Sequence, residues 1–298
     1  LFFSDMLGYN SLSTIIQLNN RLIDSAGVIG YKNSHRRLHW GGIIQRIPYI
    51  TAGYSLEAGE MNGEPVIMEK EYIFRQINYQ ITGFANYPFS KLSRIELSSG
   101  FRFIDYDSEV WTWAYSALDG YQLGLEKEKI PSYEGLNFTY VNMALIHDSS
   151  YFGATSPILG KNYVFQVSPY YGTIDFVSVI ADYRRYFMPI RPFTLAFRIL
   201  HYGRYGKGAE DYRMYPLYLG YESFIRGYNA GSFSAEECSD DGDFFDFNRL
   251  FGSKIIVANA ELRFPLFQIL GIGKGYYGIF PVDFIAFFDS GVAWTEEG

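Results

Sequence analysis

Over much of the chain the apolar side chains recur at every second position, the period of a β-strand and not of a helix. In residues 254–265, KIIVANAELRFP, the apolar Ile256, Ala258, Ala260, Leu262 and Phe264 share one face, and Asn259, Glu261 and Arg263 lie on the other. Residues 281–294 repeat the pattern, with Val282, Phe284, Ala286, Phe288 and Val292 opposite Asp283 and Asp289. In SRIELSSGFRF, Arg94, Glu96, Ser98 and Arg102 oppose Ile95, Leu97, Phe101 and Phe103. In NYVFQVSPY, Gln166 and Ser168 oppose Phe165 and Val167, and in SLSTIIQLN, Ser11, Ser13 and Gln17 oppose Leu12, Ile16 and Leu18. Successive side chains of a strand point to opposite faces, so each segment has one oily face and one polar face. A membrane barrel demands that division, because lipid bathes its outside and water its lumen. A soluble sandwich alternates too, but its turns recur every 8–12 residues or so. Here the alternating segments approach the length of a membrane crossing, and some connections are long and polar.

The pattern predicts strands over 2–7, 10–19, 25–33, 38–50, 70–87, 92–105, 108–125, 134–148, 160–172, 174–188, 192–205, 253–265 and 279–295. Tight turns fall at Gly8-Tyr9 and Gly172-Thr173, and the longest irregular stretch is 206–252. Residues 66–80 also fit an amphipathic helix and are read as strand. No fixed long period marks a repeat architecture, so residues 1–298 form one domain. The expected fold is all-β: a transmembrane, antiparallel, up-and-down β-barrel.

Composition sharpens this picture in three places. Tyr, Phe and Trp make up 19% of the chain. Aromatic girdles at membrane interfaces use that much Tyr and Phe, although a sugar-binding β protein does as well. No run of 18 apolar residues exists, so no helical span is expected, and the start LFFSDMLGYN lacks the pattern of a signal peptide. An outer-membrane protein needs such a leader, which is therefore expected upstream. The formal net charge of -7 argues against nucleic acid as a partner. The single cysteine, Cys238, forms no internal disulfide, and no Cys/His spacing suggests zinc.

The last third of the chain carries a specific likeness. YPLYLGYESFIRGYNAGSF resembles the hallmark loop of the BamA/TamA superfamily of outer-membrane assembly and secretion barrels, with the motif at Ile225, Arg226, Gly227 and Tyr228. VANAELRFPL resembles the strand after that loop, with its acid at Glu261, and FIAFFDSGVAW the next strand, with its aspartate at Asp289. Upstream, IHDSSYFGATSPILGKNYVFQVSP resembles the family's turn before a strand, at Pro157 and Gly160. It departs where His147 and two serines stand in place of a basic residue. GFANYPFSKLSRIELSSGF and the FFSDMLG start are closer to members joined to an upstream TolB-like β-propeller. The resemblance implies a barrel of about sixteen strands. Some thirteen are expected in this chain, with closing strands beyond Gly298, since an open edge in lipid leaves backbone groups unpaired.

An arginine at a glycine-bordered turn can approach carboxylates closely. The resemblance implies that loop 206–252 folds into the lumen and that Arg226 pairs there with Glu261, Asp289 or both. The bland alternative is a solvated loop arginine beside two ordinary lumen acids. Asp240, Asp241, Asp243 and Asp246 crowd the loop tip, and calcium takes such oxygen ligands. Their spacing fits no EF-hand, and a charge run is usually solvated, so no metal is expected. His35, His39, His147 and His201 invite a hydrolase reading. However, His147 and Asp148 as strand neighbours face apart, and no G-x-S-x-G motif appears. Arg184 and Arg185 are expected on opposite faces.

What the resemblance implies is a non-enzymatic barrel of the bacterial outer membrane, without a cofactor, that assists insertion or translocation of proteins. Its partners would be outer-membrane lipids, client or passenger polypeptides, and periplasmic domains or lipoproteins. The competing readings are a passive export channel and a structural anchor for a fused or partner periplasmic domain.

Overall fold

The computed structural model describes residues 1–61, 63–227 and 247–296. Along the chain run β1 (Phe2–Ser4), β2 (Asn10–Gln17), β3 (Ala26–Asn33), β4 (His39–Met61), β5 (Glu64–Pro88), β6 (Ser93–Ser116), β7 (Gln122–Lys129) and β8 (Leu136–Asp148). Then follow β9 (Tyr151–Phe152), β10 (Pro157–Gly172), β11 (Phe176–Ile190), β12 (Phe193–Tyr205), β13 (Leu217–Tyr218), β14 (Phe251–Gly252), β15 (Lys254–Pro265), the short helix α1 (Leu266–Ile269) and β16 (Asp283–Trp294). Fourteen strands join one sheet in the order β1-β2-β3-β4-β5-β6-β8-β10-β11-β12-β15-β16, with β7 paired to β6 and β9 to β10. β13 and β14 form a separate two-stranded pair. The expected all-β, antiparallel architecture is present.

Several boundaries differ from the sequence reading, each for a physical reason. Residues 108–125 are not a strand of their own: 108–116 continue β6, and β7 follows after a turn. The polar run Asp105-Tyr106-Asp107-Ser108 suggests a break, but Asp107 accepts from Arg75 and Lys129 and the strand runs through. β4 extends past residue 50 and β5 starts before 70. Two contacts span this polar hairpin: Lys70 donates to Glu57, and the Tyr54 hydroxyl to Glu71. The helical alternative for 66–80 is excluded, since those residues lie in β5. β1 stops at Ser4 because the Asp5 carboxylate accepts the N–H groups of Tyr9 and Asn10 and turns the chain there.

The chain divides into two compact units, Leu1–Phe84 with Ser99–Tyr140, and Ala85–Ser98 with Val141–Gly298. In the first, Ile73, Ile77, Ile104, Leu136, Phe138 and Tyr140 are buried. Among them stands a charged residue: the Arg75 side chain is 2% exposed. Its Nε donates to Asp24 at 2.6 Å, and its two terminal nitrogens to Asp107 at 3.3 Å and Glu109 at 2.7 Å. Arg21 also pairs with Glu109 and lies over the Trp111 ring. Arg46 donates to the carbonyl oxygens of Ile23 and Ser25. Together these bonds strap the loop between β2 and β3 onto β4, β5 and β6. A buried guanidinium is tolerated only with its charge paired and its donors used, which three carboxylates achieve here.

In the second unit β10, β11, β12, β15 and β16 pair in register, for example Asp182↔Leu200, Leu200↔Val257 and Asn259↔Asp289. The burial is inverted relative to a soluble protein. Phe288 is 70% exposed, while the Asp289 side chain beside it is 3% exposed. Phe165, Val167, Phe197, Ile199, Leu262 and Phe284 are exposed with Phe288. One buried apolar cluster joins Leu200, Leu219, Ile255 and Val257, with Leu217, Phe224 and Ile225 packed against it.

Replacing Arg75 by Met leaves Asp24, Asp107 and Glu109 without their shared cation. Removing one partner of a buried charge cluster costs about 3–5 kcal/mol. The midpoint of urea unfolding should fall accordingly, and trypsin should cut at Arg21, which the native strap protects.

Candidate functional site

The segment 219–227 leaves β13 and folds against β15 and β16. It begins in an apolar contact: Leu219 and Ile225 pack on Ile255 and Val257. Gly291 of β16 makes room for both, because a Cβ there would stand 2.8 Å from the Leu219 Cδ1 and 2.9 Å from the Ile225 Cδ1. A short turn follows, with the N–H groups of Phe224 and Ile225 bonded to the Tyr221 carbonyl. Gly227 ends it at φ +87°, a left-handed conformation that glycine adopts at no steric cost.

These constraints deliver Arg226 to the polar face of the sheet. Its Nε and Nη2 form a two-pronged bond to Asp289, at 2.8 Å to Oδ2 and 2.7 Å to Oδ1. Its backbone N–H adds a third bond to Oδ2 at 3.0 Å. Its Nη1 donates to Glu261 at 2.6 Å, and its guanidinium lies 4.0 Å from the centre of the Phe287 ring. Forked, charge-assisted bonds of this kind are short and orientation-specific, and the ring face adds cation–π attraction. The Asp289 bonds, with Glu261 adding its charge, hold the Arg226 proton more tightly than usual.

Neighbours complete the arrangement. Asn259 bridges loop and wall, donating to the Phe224 carbonyl at 2.9 Å and to Asp289 at 2.8 Å. Arg263 bonds the other oxygen of Glu261 and the Pro157 carbonyl. Arg198 and Arg184 share Asp182, and Arg198 also donates to the Ser223 carbonyl at 3.0 Å. A cavity of about 290 Å³ opens among Arg184, Arg198, Glu222, Arg226, Glu261 and Arg263. Four arginines face Asp182, Glu261 and Asp289 around this loop, and the ordered pairs use their donors against wall and loop alike.

Of the residues singled out from sequence, the structure brings Ile225, Arg226, Gly227, Glu261 and Asp289 together. Tyr228, Cys238 and the candidate calcium ligands Asp240, Asp241, Asp243 and Asp246 lie outside the described residues. Among the described residues no cluster of three or more His, Cys, Asp or Glu side chains is placed to hold a metal. His147 bonds Ser93 at 2.7 Å and Ser149 at 3.1 Å and stacks on Tyr163. Asp148 binds the N–H of Ser150 instead. Pro157 and Gly160 both lie in the first turn-proximal stretch of β10. Arg184 turns to Asp182, and Arg185 is exposed.

Sequence reasoning missed Gly291, Phe287, Asn259 as a bridge, and the whole Arg75 cluster. The alternation that placed Glu261 and Asp289 on polar faces also marks Asn259 and Asp182. Partner identity across β12 and β15 depends on register, which alternation leaves open.

Three substitutions test this geometry. Asp289→Asn removes the countercharge and should cost about 1.5–3 kcal/mol. Arg226→Lys keeps a charge but loses the fork and should cost about as much. Gly291→Val should dislodge Leu219 and Ile225 with every charge intact. In all three, protease cleavage within 206–227 should rise sharply over the native protein.

No protein-family model matches this chain, and no curated protein matches it. Among solved structures it is similar to the crystal structure of BamA from Haemophilus ducreyi lacking POTRA domains 1–3, with a TM-score of 0.51 and 13% sequence identity. The match covers 99% of this chain and 57% of that one, so the chain spans little more than half the length of that protein. At this identity the likeness is one of fold: an all-β, antiparallel sheet of the kind found in the BamA barrel.

Proposed function

We propose that this chain is an outer-membrane β-barrel of the BamA/TamA type that assists insertion or translocation of proteins. The observation that carries the reading is the inverted burial joined to the Arg226 tether. Phe284, Phe288, Ile199 and Phe197 turn outward, where lipid stabilises them. Arg226, Glu261 and Asp289 turn inward and hold segment 219–227 to the wall. In this reading the described stretch 206–227 of the loop lies in the lumen, and residues 1–298 belong to the barrel domain.

The work asked of the protein is mechanical. A client strand adds by backbone hydrogen bonds to an exposed edge. β1 is suited to this role: it is three residues long, exposed, and among the described residues paired only with β2. The tether braces the interior while that edge changes partners. No covalent step is involved, and no cofactor is called for. The partners are outer-membrane lipids and client or passenger polypeptides, with periplasmic domains or lipoproteins to deliver them.

Reconstitution into liposomes tests this. Folding of a small, urea-unfolded outer-membrane barrel into those liposomes should be roughly tenfold faster with the protein than without it. Arg226→Ala should remove most of the gain. An unchanged folding rate, together with steady ion conductance, would favour a passive export channel and overturn the assembly reading.

A further inference from the structure

β4 outlasts the strand beside it. Its pairing with β3 ends at Arg46, opposite Gly27, yet β4 runs on to Met61. Beyond that point the side of β4 away from β5 has no strand partner among the described residues. Pro48 stands where the pairing stops. A proline has no N–H to give a neighbour, so within sheets it is confined to such edges. From Tyr49 onward the edge presents a row of backbone donors and acceptors. A row of this kind is a template for another strand.

Natural edges are commonly blunted by lysine, proline or brevity. Residues 49–61 contain no lysine and no proline. Tyr49, Ile50, Tyr54 and Leu56 are exposed along them. The edge is also backed by the long strands β5 and β6, and by β7 beyond them. Arg75 and its three carboxylates knit β5 and β6 to the loop before β3. At about 3.3 Å per residue, β4 alone is some 75 Å long, far more than a hydrocarbon core of about 30 Å. Part of this edge therefore stands in water whatever membrane the protein occupies.

Its charge is one-sided. Residues 51–71 hold Glu57, Glu60, Glu64, Glu69 and Glu71 against Lys70 alone, a net of 1 − 5 = −4. Lys70 is already paired with Glu57. We propose that the free edge of β4 takes up an extended, basic polypeptide segment by strand addition. The backbone supplies the hydrogen bonds, the glutamates select lysine or arginine, and Tyr54 with Leu56 offers apolar contact for alternate side chains. This edge is separate from β1, and the proposal stands without the assembly reading.

The test uses the full chain in zwitterionic lipid nanodiscs and three fluorescent peptides of about twelve residues. One alternates Lys with Val, one has the same charge but is interrupted by prolines, and one carries Glu in place of Lys. The Lys/Val peptide should bind at least roughly tenfold more tightly than either control. Glu57→Gln with Glu60→Gln should weaken it by a similar factor. Equal binding of the proline-interrupted peptide would overturn strand addition. Equal binding of the acidic peptide would overturn the charge selection. Absence of binding, or β4 occupied instead by β4 of a second copy, seen as a Ser55→Cys disulfide dimer, would overturn the proposal outright.

Discussion

On the membrane reading proposed above, the constraint on which everything else depends is that a backbone in lipid must satisfy its own hydrogen bonds. Strands meet it only by pairing edge to edge, and a paired sheet then has two faces with different solvents. This explains why Phe288 is open while its neighbour Asp289 is enclosed. The enclosed face carries charges beside its apolar residues, and charges out of bulk water must be paired.

Two ionic clusters meet that second demand in the same way. Each uses an arginine whose guanidinium reaches several carboxylates at once. Arg75 is held by Asp24, Asp107 and Glu109, and it fastens the loop between β2 and β3. Arg226 is held by Asp289 and Glu261, and it fastens the segment before Gly227. In both, a connection is brought back onto the sheet by a planar cation that a lysine could not imitate, because only the guanidinium presents several donors in fixed directions. Their settings differ. Arg75 lies among buried residues, whereas Arg226 borders a cavity, is partly exposed and rests on Phe287.

Most of the fold could be read from alternation. The sheet from β8 to β16 follows the pattern closely, because each long strand there keeps one oily face. Some strands leave that rule. In β4, β5 and β6 the polar stretches around Glu57, Glu69 and Asp107 resemble breaks, yet cross-strand ion pairs keep them extended. The family likeness of Ile225, Arg226 and Gly227 leads to Glu261 and Asp289 as expected partners, and in the structure Arg226 lies within hydrogen-bond distance of both. Composition and period alone leave Arg226 as an ordinary loop charge. Gly291 illustrates what no single-chain pattern reveals, since its small size matters only for Leu219 and Ile225, some seventy residues earlier in the chain.

The central claim is that this sheet has lipid on one face and water on the other, and β16 is where it can be tested most directly. With Cys238 replaced by serine, single cysteines at positions 283–294 can each carry a spin label in proteoliposomes. Access of lipid-soluble oxygen and of a water-soluble nickel chelate is then compared along the strand. A sheet with lipid on one face gives a period of two, with oxygen favoured at Phe284, Ala286, Phe288 and Val292 and the chelate favoured at the positions between them. Uniform access along the strand, or the opposite phase, would contradict it.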